Sequence, residues 1–260
     1  MEERANQITM ASKKTPEKTF IYGTRVIMEG IKAGREIDKI LVLKNLKNPL
    51  VQELFSLARD HRIPLQRVPV QKLNGYTRKN HQGVICLLSV ISYGSLDHVI
   101  SQAFIEGRTP LIAMLDRITD VRNFGAIART ADAAGADALV VPLTGHAQVT
   151  EDAIKTSAGV LNHLPVCRVN SLKSCIKELQ NSGLQVVACS EKSDELMYSV
   201  DLRGPTAILM GSEQDGIGSE LLARCDFHVK IPMMGKVSSL NVSVATGLVL
   251  YECVRQRLEL

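Results

Sequence analysis

Residues 111–135 read LIAMLDRITDVRNFGAIARTADAAG, and this stretch indicates the class of fold. The apolar run at 111–115 is too short for a helix and is typical of a strand buried on both faces. A charged loop follows, and small residues then recur through a helix predicted over 123–134. A buried strand followed by such a helix is the repeating unit of a parallel α/β sheet.

The same alternation continues to the end of the chain. Further strands are predicted at 138–141, 185–189, 206–210 and 227–231, and further helices at 150–160, 171–182, 217–224 and 240–258. This pattern predicts a parallel sheet with helices on both faces. Ligands of such sheets bind at the carboxyl ends of the strands, so the segments after 115, 210 and 231 are the candidates for a site.

A smaller α/β/α unit is predicted ahead of this sheet, over residues 17–91. Its predicted helices are 22–33 and 48–61, and its predicted strands are 37–43, 63–70 and 84–91. Residues 92–95 are predicted to be a linker between this unit and a second domain over 96–260. Residues 1–16 are polar and are predicted to be a flexible basic tail.

Charge is distributed unevenly along the chain. Residues 1–92 contain 16 Lys and Arg against 8 Asp and Glu, whereas residues 93–260 contain 15 against 19. This asymmetry indicates that the front unit contacts a polyanion, although a solvated basic surface without a partner would give the same count. With 4% aromatic residues and no tryptophan, recognition by charge and shape is favoured over extensive base stacking.

Several classes of protein are disfavoured by what the sequence lacks. No apolar run approaches the length of a membrane span, and the charged start does not resemble a secretory signal, so we expect a cytoplasmic protein. The six cysteines form no C-x-x-C pair and fall mostly in apolar runs, which is typical of buried free thiols. The histidines show no ligand spacing, so no metal site is predicted.

Two segments of the predicted sheet carry chemistry-bearing residues next to glycines. Asn123 fits the N-cap of the helix over 123–134, and Arg129 is a long cation among small residues; it is either a binding residue or a solvated surface arginine. In AILMGSEQDGIG, residues 207–218, a strand enters a glycine-rich loop that lets a ligand approach the backbone. Glu213 in that loop either positions a ligand or caps the next helix.

The third segment is IPMMGKVSSLNVSVATGLVLYECVRQRL, residues 231–258. Ser239 and Asn241 precede or begin a long helix, and helix capping alone would also explain them. Gly247 lies inside that helix, where glycine costs roughly 1 kcal/mol relative to alanine, so we expect close packing there. The glycine spacing in 207–218 matches neither a dinucleotide-binding nor a phosphate-binding loop, which argues against a dehydrogenase.

Taken together, these segments resemble the three motifs of the SpoU (TrmH) family of RNA ribose 2′-O-methyltransferases, part of the SPOUT superfamily. The motifs are NFGAIARTADAAG (123–135), MGSEQDGI (210–217) and IPMMGKVSSLNVSVATG (231–247). The resemblance implies a C-terminal trefoil knot, preceded by a small L30e-like RNA-binding domain whose end matches HQGV at 81–84. One departure is Gln214, which stands where many members have a glycine, and it puts the shape of that loop in question.

The resemblance also implies roles for individual residues. The methyl donor would be S-adenosylmethionine, without a metal, and the protein would be a homodimer with the donor site at the subunit interface. Gly211, Ile231 and Leu240 would contact the donor, largely through backbone groups, and Met233 and Ser239 would line the same pocket. The catalytic residues would be Asn123, Arg129, Glu213, Ser239 and Asn241.

The substrate implied by this resemblance is a guanosine in 23S (large-subunit) ribosomal RNA, because the ribosomal-RNA branch carries such a front domain. A tRNA ribose methyltransferase is one alternative. A non-catalytic RNA-binding ribosome assembly factor is another, and the joint presence of the five catalytic candidates argues against it.

Overall fold

A computed structural model describes residues 20–258, and the predicted tail at 1–16 lies outside this range. The described chain contains two sheets, one of four strands and one of eight. The first sheet has the order β1-β4-β2-β3, with β2 and β3 parallel and the other pairs antiparallel. Its strands are β1 Phe20–Tyr22, β2 Ile37–Leu43, β3 Leu65–Val68 and β4 Val84–Leu88.

Three helices belong to this front unit: α1 Thr24–Lys32, α2 Pro49–Asp60 and α3 Val70–Asn74. Helix α2 begins as predicted, because the Asn48 side chain accepts a hydrogen bond from the N–H of Val51 at 2.8 Å. Helix α1 begins two residues later than predicted because Tyr22 is paired in β1. The predicted strand over 63–70 is shorter, since Val70 already begins α3.

The second sheet has eight strands, and all of its neighbouring pairs are parallel. Its order is β10-β12-β9-β11-β6-β7-β8-β5. Its strands are β5 Tyr93–Gly94, β6 Leu111–Leu115, β7 Ala138–Pro142, β8 Val166–Val169, β9 Gln185–Cys189, β10 Glu195–Leu196, β11 Thr206–Met210 and β12 Phe227–Lys230. The predicted parallel α/β fold is therefore confirmed, and β5, β8 and β10 are strands that the sequence pattern did not reveal.

Helices cover both faces of the large sheet. They are α4 Leu96–Ile105, α5 Val121–Ala133, α6 Glu151–Thr156 with a 3₁₀ turn at Val160–Asn162, α7 Leu172–Asn181, α8 Ser219–Leu222 and α9 Val242–Arg257. Alternate residues of β6 enter opposite cores: Leu115 packs with α5 and α9, whereas Met114 packs with α4 and α7. The strand pairings of the described residues do not by themselves show the trefoil knot, which stays a prediction.

Two glycines allow α5 to pack closely against its neighbours. A Cβ on Gly125 would lie 2.8 Å from Cβ of Thr156 at the end of α6, a distance that would force the two helices apart. A Cβ on Gly247 in α9 would lie 3.1 Å from Cγ2 of Thr130. The close packing expected at Gly247 is thus confirmed, and it holds the third motif against the first.

A small polar cluster joins the two sheets. Asp38 of β2 is 4% exposed and accepts a hydrogen bond from the hydroxyl of Tyr93 at 3.2 Å. Arg168 of β8 donates to the carbonyl of Asp38 at 2.9 Å, and its guanidinium carbon lies 3.6 Å from the centroid of the Tyr93 ring. Burial raises the pKa of Tyr93 and lowers the pKa of Arg168. Tyr93 and Gly94, in the predicted linker, thus form an edge strand of the large sheet.

Candidate active site

The three segments singled out in the sequence meet at one edge of the large sheet. Strands β6, β11 and β9 are in register, with Leu115 beside Met210 and Met210 beside Cys189. Because the strands are parallel, the loops that follow these residues lie together at the carboxyl edge. Helix α9 packs against α5 and brings the third motif to the same place.

Three polar side chains from these segments form one hydrogen-bonded cluster. The amide of Asn241 donates to Oδ1 of Asn123 and to Oε1 of Glu213, both at 3.1 Å. The side-chain amide of Asn123 also donates to Oε1 of Glu213. Residues separated by about 90 to 118 positions in the chain are therefore in direct contact.

The ends of two helices fix two members of this cluster. Asn241 is the N-cap of α9, and its Oδ1 accepts from the backbone N–H of Ser243 at 2.9 Å, which leaves the amide group directed at Glu213. Asn123 lies in the first turn of α5 but does not cap it, so that prediction was wrong. Asp120 is the cap, accepting from the N–H groups of Arg122 and Asn123, because the helix starts at Val121.

The third member, Glu213, lies in a compact turn. The N–H of Gly216 donates to the carbonyl of Ser212 at 2.9 Å, and the N–H of Asp215 donates to the Ser212 hydroxyl at 3.1 Å. Gly216 has φ +66°, whereas Gln214 keeps an ordinary backbone conformation, so the turn takes its left-handed residue two positions later. Glu213 does not cap the next helix, which begins only at Ser219.

Gly211 is needed for the packing of its own loop. A Cβ at this position would lie 2.3 Å from the carbonyl carbon of Gly216 and 2.3 Å from the nitrogen of Ile217. The missing side chain therefore makes room for the loop's own backbone, and Gly211 also lines the cavity described below. This close contact holds the Glu213 turn against the end of β11.

Arg117 stabilises the same turn through hydrogen bonds. It was not identified as a site residue from the sequence. Its guanidinium donates to Asp116 at 3.0 Å, to Asp215 at 3.1 Å and to the carbonyl of Gly216 at 3.0 Å. The hydrogen bond to Asp116 raises the pKa of Arg117, so the cation is retained. Its φ of +56° is unusual for a residue with a side chain and marks a locally strained backbone.

A cavity of about 280 Å³ lies beside the polar cluster. Its lining includes all five residues for which donor binding was predicted: Gly211, Ile231, Met233, Ser239 and Leu240. It also includes Cys189, the last residue of β9, and Glu191, two positions later. Both were missed, because nothing local distinguishes them from an ordinary strand end. Burial raises the pKa of Cys189 to about 12, so this residue stays a neutral thiol at neutral pH.

A second cavity of about 210 Å³ lies on the other side of the Glu213 turn, with Arg117 and Asn123 in its lining. The two cavities share a wall formed by Ser212, Glu213 and Gln214 together with Val242. Glu213 of the polar cluster therefore borders both cavities.

The other two predicted catalytic residues are outside the cluster. Ser239 lines the larger cavity from an exposed loop. Arg129 is exposed on α5 and, within residues 20–258, forms no hydrogen bond or ion pair.

No group of His, Cys, Asp and Glu among the described residues could hold a metal ion. Within the same range no helix is long and apolar enough to cross a membrane.

Two family models match the chain. The SpoU rRNA methylase family matches residues 110–251, and a model for RNA 2′-O ribose methyltransferase substrate binding matches residues 20–93. YacO of Bacillus subtilis strain 168, named as a TrmH family tRNA/rRNA methyltransferase, is 35% identical over 238 residues, which cover 92% of this chain and 96% of YacO. The chain is thus an RNA-modifying methyltransferase, and within that class it belongs to the SpoU (TrmH) family of ribose 2′-O-methyltransferases.

Solved structures agree with this assignment. The SpoU methyltransferase AviRb from Streptomyces viridochromogenes, in complex with the cofactor AdoMet, is 28% identical with a TM-score of 0.58, covering 92% of this chain and 90% of AviRb. An AdoMet-bound rRNA methyltransferase from Sinorhizobium meliloti is 25% identical with a TM-score of 0.56, covering 91% and 87% of the two chains. S-adenosylmethionine is accordingly the methyl donor.

Proposed function

We propose that this enzyme methylates the ribose 2′-hydroxyl of a guanosine in 23S ribosomal RNA, in the cytoplasm where that RNA is made. The basic excess at the front of the chain supports an RNA partner, because residues 1–92 contain 16 Lys and Arg against 8 Asp and Glu. The Sinorhizobium meliloti neighbour is described as an rRNA methyltransferase, which favours the same substrate. A tRNA remains the second candidate, since the name of the Bacillus subtilis relative covers both RNAs.

The larger cavity is the proposed donor site. Its lining combines apolar side chains such as Ile231 and Leu240 with polar groups such as Ser239, a mixture that suits a nucleoside joined to an amino acid. Gly211, Met233, Ser239 and the backbone around them would hold the donor. When bound, S-adenosylmethionine supplies a methyl group already activated by its sulfonium.

The cluster of Asn123, Glu213 and Asn241 carries the proposal for the acceptor side. Its members are fixed by one another and by a helix cap, so they can orient a ribose without rearranging. The cluster also borders both cavities through Glu213, where an acceptor oxygen and a donor would have to meet. Ser239 would contribute a hydroxyl from the wall of the donor cavity.

Arg129 is proposed to bind the phosphate next to the target ribose and to stabilise the developing alkoxide. Its guanidinium is exposed and unpaired within the described chain, so it is available to an anion. A guanidinium keeps its proton far above neutral pH, so Arg129 does not act as a general base. The hydroxyl proton would pass to a neighbouring group or to a phosphate oxygen. Substantial activity in Arg129→Lys, which loses the forked geometry, would contradict this role.

The enzyme is also proposed to be a homodimer that uses α9 in its interface. Val249, Leu250 and Cys253 of this helix are buried in the protomer, yet Val244, Leu248 and Tyr251 remain exposed. A helix that is apolar on both sides is stable in water only when both sides are covered. The exposed side continues into the motif that carries Leu240 and Asn241, so a second copy would cover the site region.

Transfer of tritiated methyl from S-adenosylmethionine to hypomethylated ribosomal RNA, and separately to bulk tRNA, tests the function. We expect label in ribosomal RNA at one alkali-resistant linkage, and its loss in Arg129→Ala. Label only in tRNA would select the second candidate. Donor binding without transfer to either RNA would favour an assembly intermediate as substrate, and no donor binding at all would favour a non-catalytic RNA-binding assembly factor.

A further inference from the structure

Glu191 is an acidic residue of the proposed donor cavity that the catalytic cluster does not use. It follows β9 in the turn that begins at Ser190 and lies on the exposed rim of the cavity. Its carboxylate is near the Glu213 turn, because a Cβ built on Gly216 would lie 3.9 Å from its Oε1. Within residues 20–258 it accepts no hydrogen bond and forms no ion pair.

The charges around this cavity are one-sided. Among the described residues that line it, the ionisable groups are Glu191, Glu213 and the neutral thiol of Cys189, and none is a Lys, Arg or His. Glu213 is already engaged by Asn123 and Asn241. Arg117, the nearby cation, belongs to the lining of the other cavity and is paired with Asp116 and Asp215. Among the described residues that line this cavity, Glu191 is therefore the carboxylate without a partner.

We propose that Glu191 supplies the counter-charge for the cationic methyl donor, so that the cavity binds S-adenosylmethionine in preference to the spent product. This inference rests on the proposed donor site. The donor carries a sulfonium, an ammonium and a carboxylate, which give a net charge of about +1, whereas loss of the methyl cation leaves a neutral thioether and no net charge. A carboxylate on the rim favours the first over the second and so helps the product to leave.

Calorimetric titration at pH 7.5 with three ligands tests this role. S-adenosylmethionine and sinefungin are both cationic at the reacting position, and S-adenosylhomocysteine is the neutral-sulfur product. In Glu191→Gln we expect the affinity for the two cationic ligands to fall by about three- to tenfold, and the affinity for the product to change less than about twofold. Glu191→Asp should retain the preference, and the difference between ligands should shrink between about 50 and 300 mM salt.

Glu195→Gln is the matched control, because it removes the same charge from the same segment but lies outside this cavity. Equal weakening of all three ligands by Glu191→Gln would show a hydrogen bond to their shared part and would overturn the proposal, as would unchanged affinity for all three. A separate result bears on the donor site itself. If Gly211→Ala leaves the affinities for all three ligands unchanged, the cavity is not the donor site. If Gly211→Ala weakens all three ligands, but Glu191→Gln does not weaken the cationic ligands more than the product, only the counter-charge role of Glu191 is refuted.

Discussion

Replacing Gly211 by alanine should weaken donor binding without unfolding the protein. The new Cβ would lie 2.3 Å from two backbone atoms of Gly216 and Ile217, whereas real Cβ contacts almost never fall below 3.0 Å, so that backbone must retreat by about 0.7 Å. Overpacking of this kind costs about 1–3 kcal/mol. If the displaced turn has to be restored for binding, the affinity for S-adenosylmethionine should fall by roughly 5- to 140-fold.

The assay is titration calorimetry with S-adenosylmethionine, accompanied by a thermal melt to verify folding. Gly218→Ala is the control in the same loop, because a Cβ there would meet nothing within 4 Å and its φ of −60° suits alanine. We expect wild-type affinity from the control. Equal affinities for Gly211→Ala and Gly218→Ala would refute both the effect of the Glu213 turn on donor binding and the proposal that this cavity is the donor site.

Three further substitutions test the polar cluster, the contact between the two sheets and the surface of the front unit. In Asn241→Asp, a second carboxylate would replace the amide that now donates to Glu213 at 3.1 Å; repulsion between the two carboxylates should make the variant less stable than wild type in a thermal melt at pH 8, and equal stability there would contradict this. Tyr93→Phe removes a donor from the buried carboxylate of Asp38 and should cost about 1–3 kcal/mol in the free energy of unfolding, measured by urea titration. Arg78→Ala, on the exposed surface of the front unit, should reduce the slope of log affinity for RNA against log salt concentration by about 0.7–0.9, and an unchanged slope would remove Arg78 from the RNA contact.

The regular elements could be predicted because their signals are local. Strands at 111–115, 185–189 and 206–210 agree with the structure, since each is an apolar run bounded by polar turns. The two-residue strands β5 and β10 have no such signal and exist only through pairing with a neighbour. Strand β8 was missed because Arg168 interrupts its apolar pattern, and that arginine is used in the contact with Asp38.

The site could be predicted only through the resemblance to a family. Asn123, Glu213 and Asn241 lie in three distant segments, and each alone had an explanation as a cap or a surface residue. The misplaced N-cap shows the limit of local signals: both Asp120 and Asn123 are good capping residues, and the choice depends on where the helix starts. Arg117 and Glu191 could not be predicted as site residues, because each is placed at the site by contacts with segments distant in the sequence.

The two cavities on either side of the Glu213 turn place a constraint on catalysis. An in-line methyl transfer needs the acceptor oxygen about 3 Å from the methyl carbon. If the donor occupies the larger cavity, as proposed, and the ribose the smaller one, the two have to meet at the shared wall. That wall is built on Ser212–Gln214. Gly211 packs against the backbone of Gly216 and Ile217 at the end of this turn, and Arg117 donates hydrogen bonds to Asp215 and to the carbonyl of Gly216. If the wall is where they meet, a change that leaves the larger cavity intact but shifts this turn should lower kcat more than it raises KM for the donor. Loss of the Arg117–Asp215 contact is such a change, because neither residue lines the larger cavity.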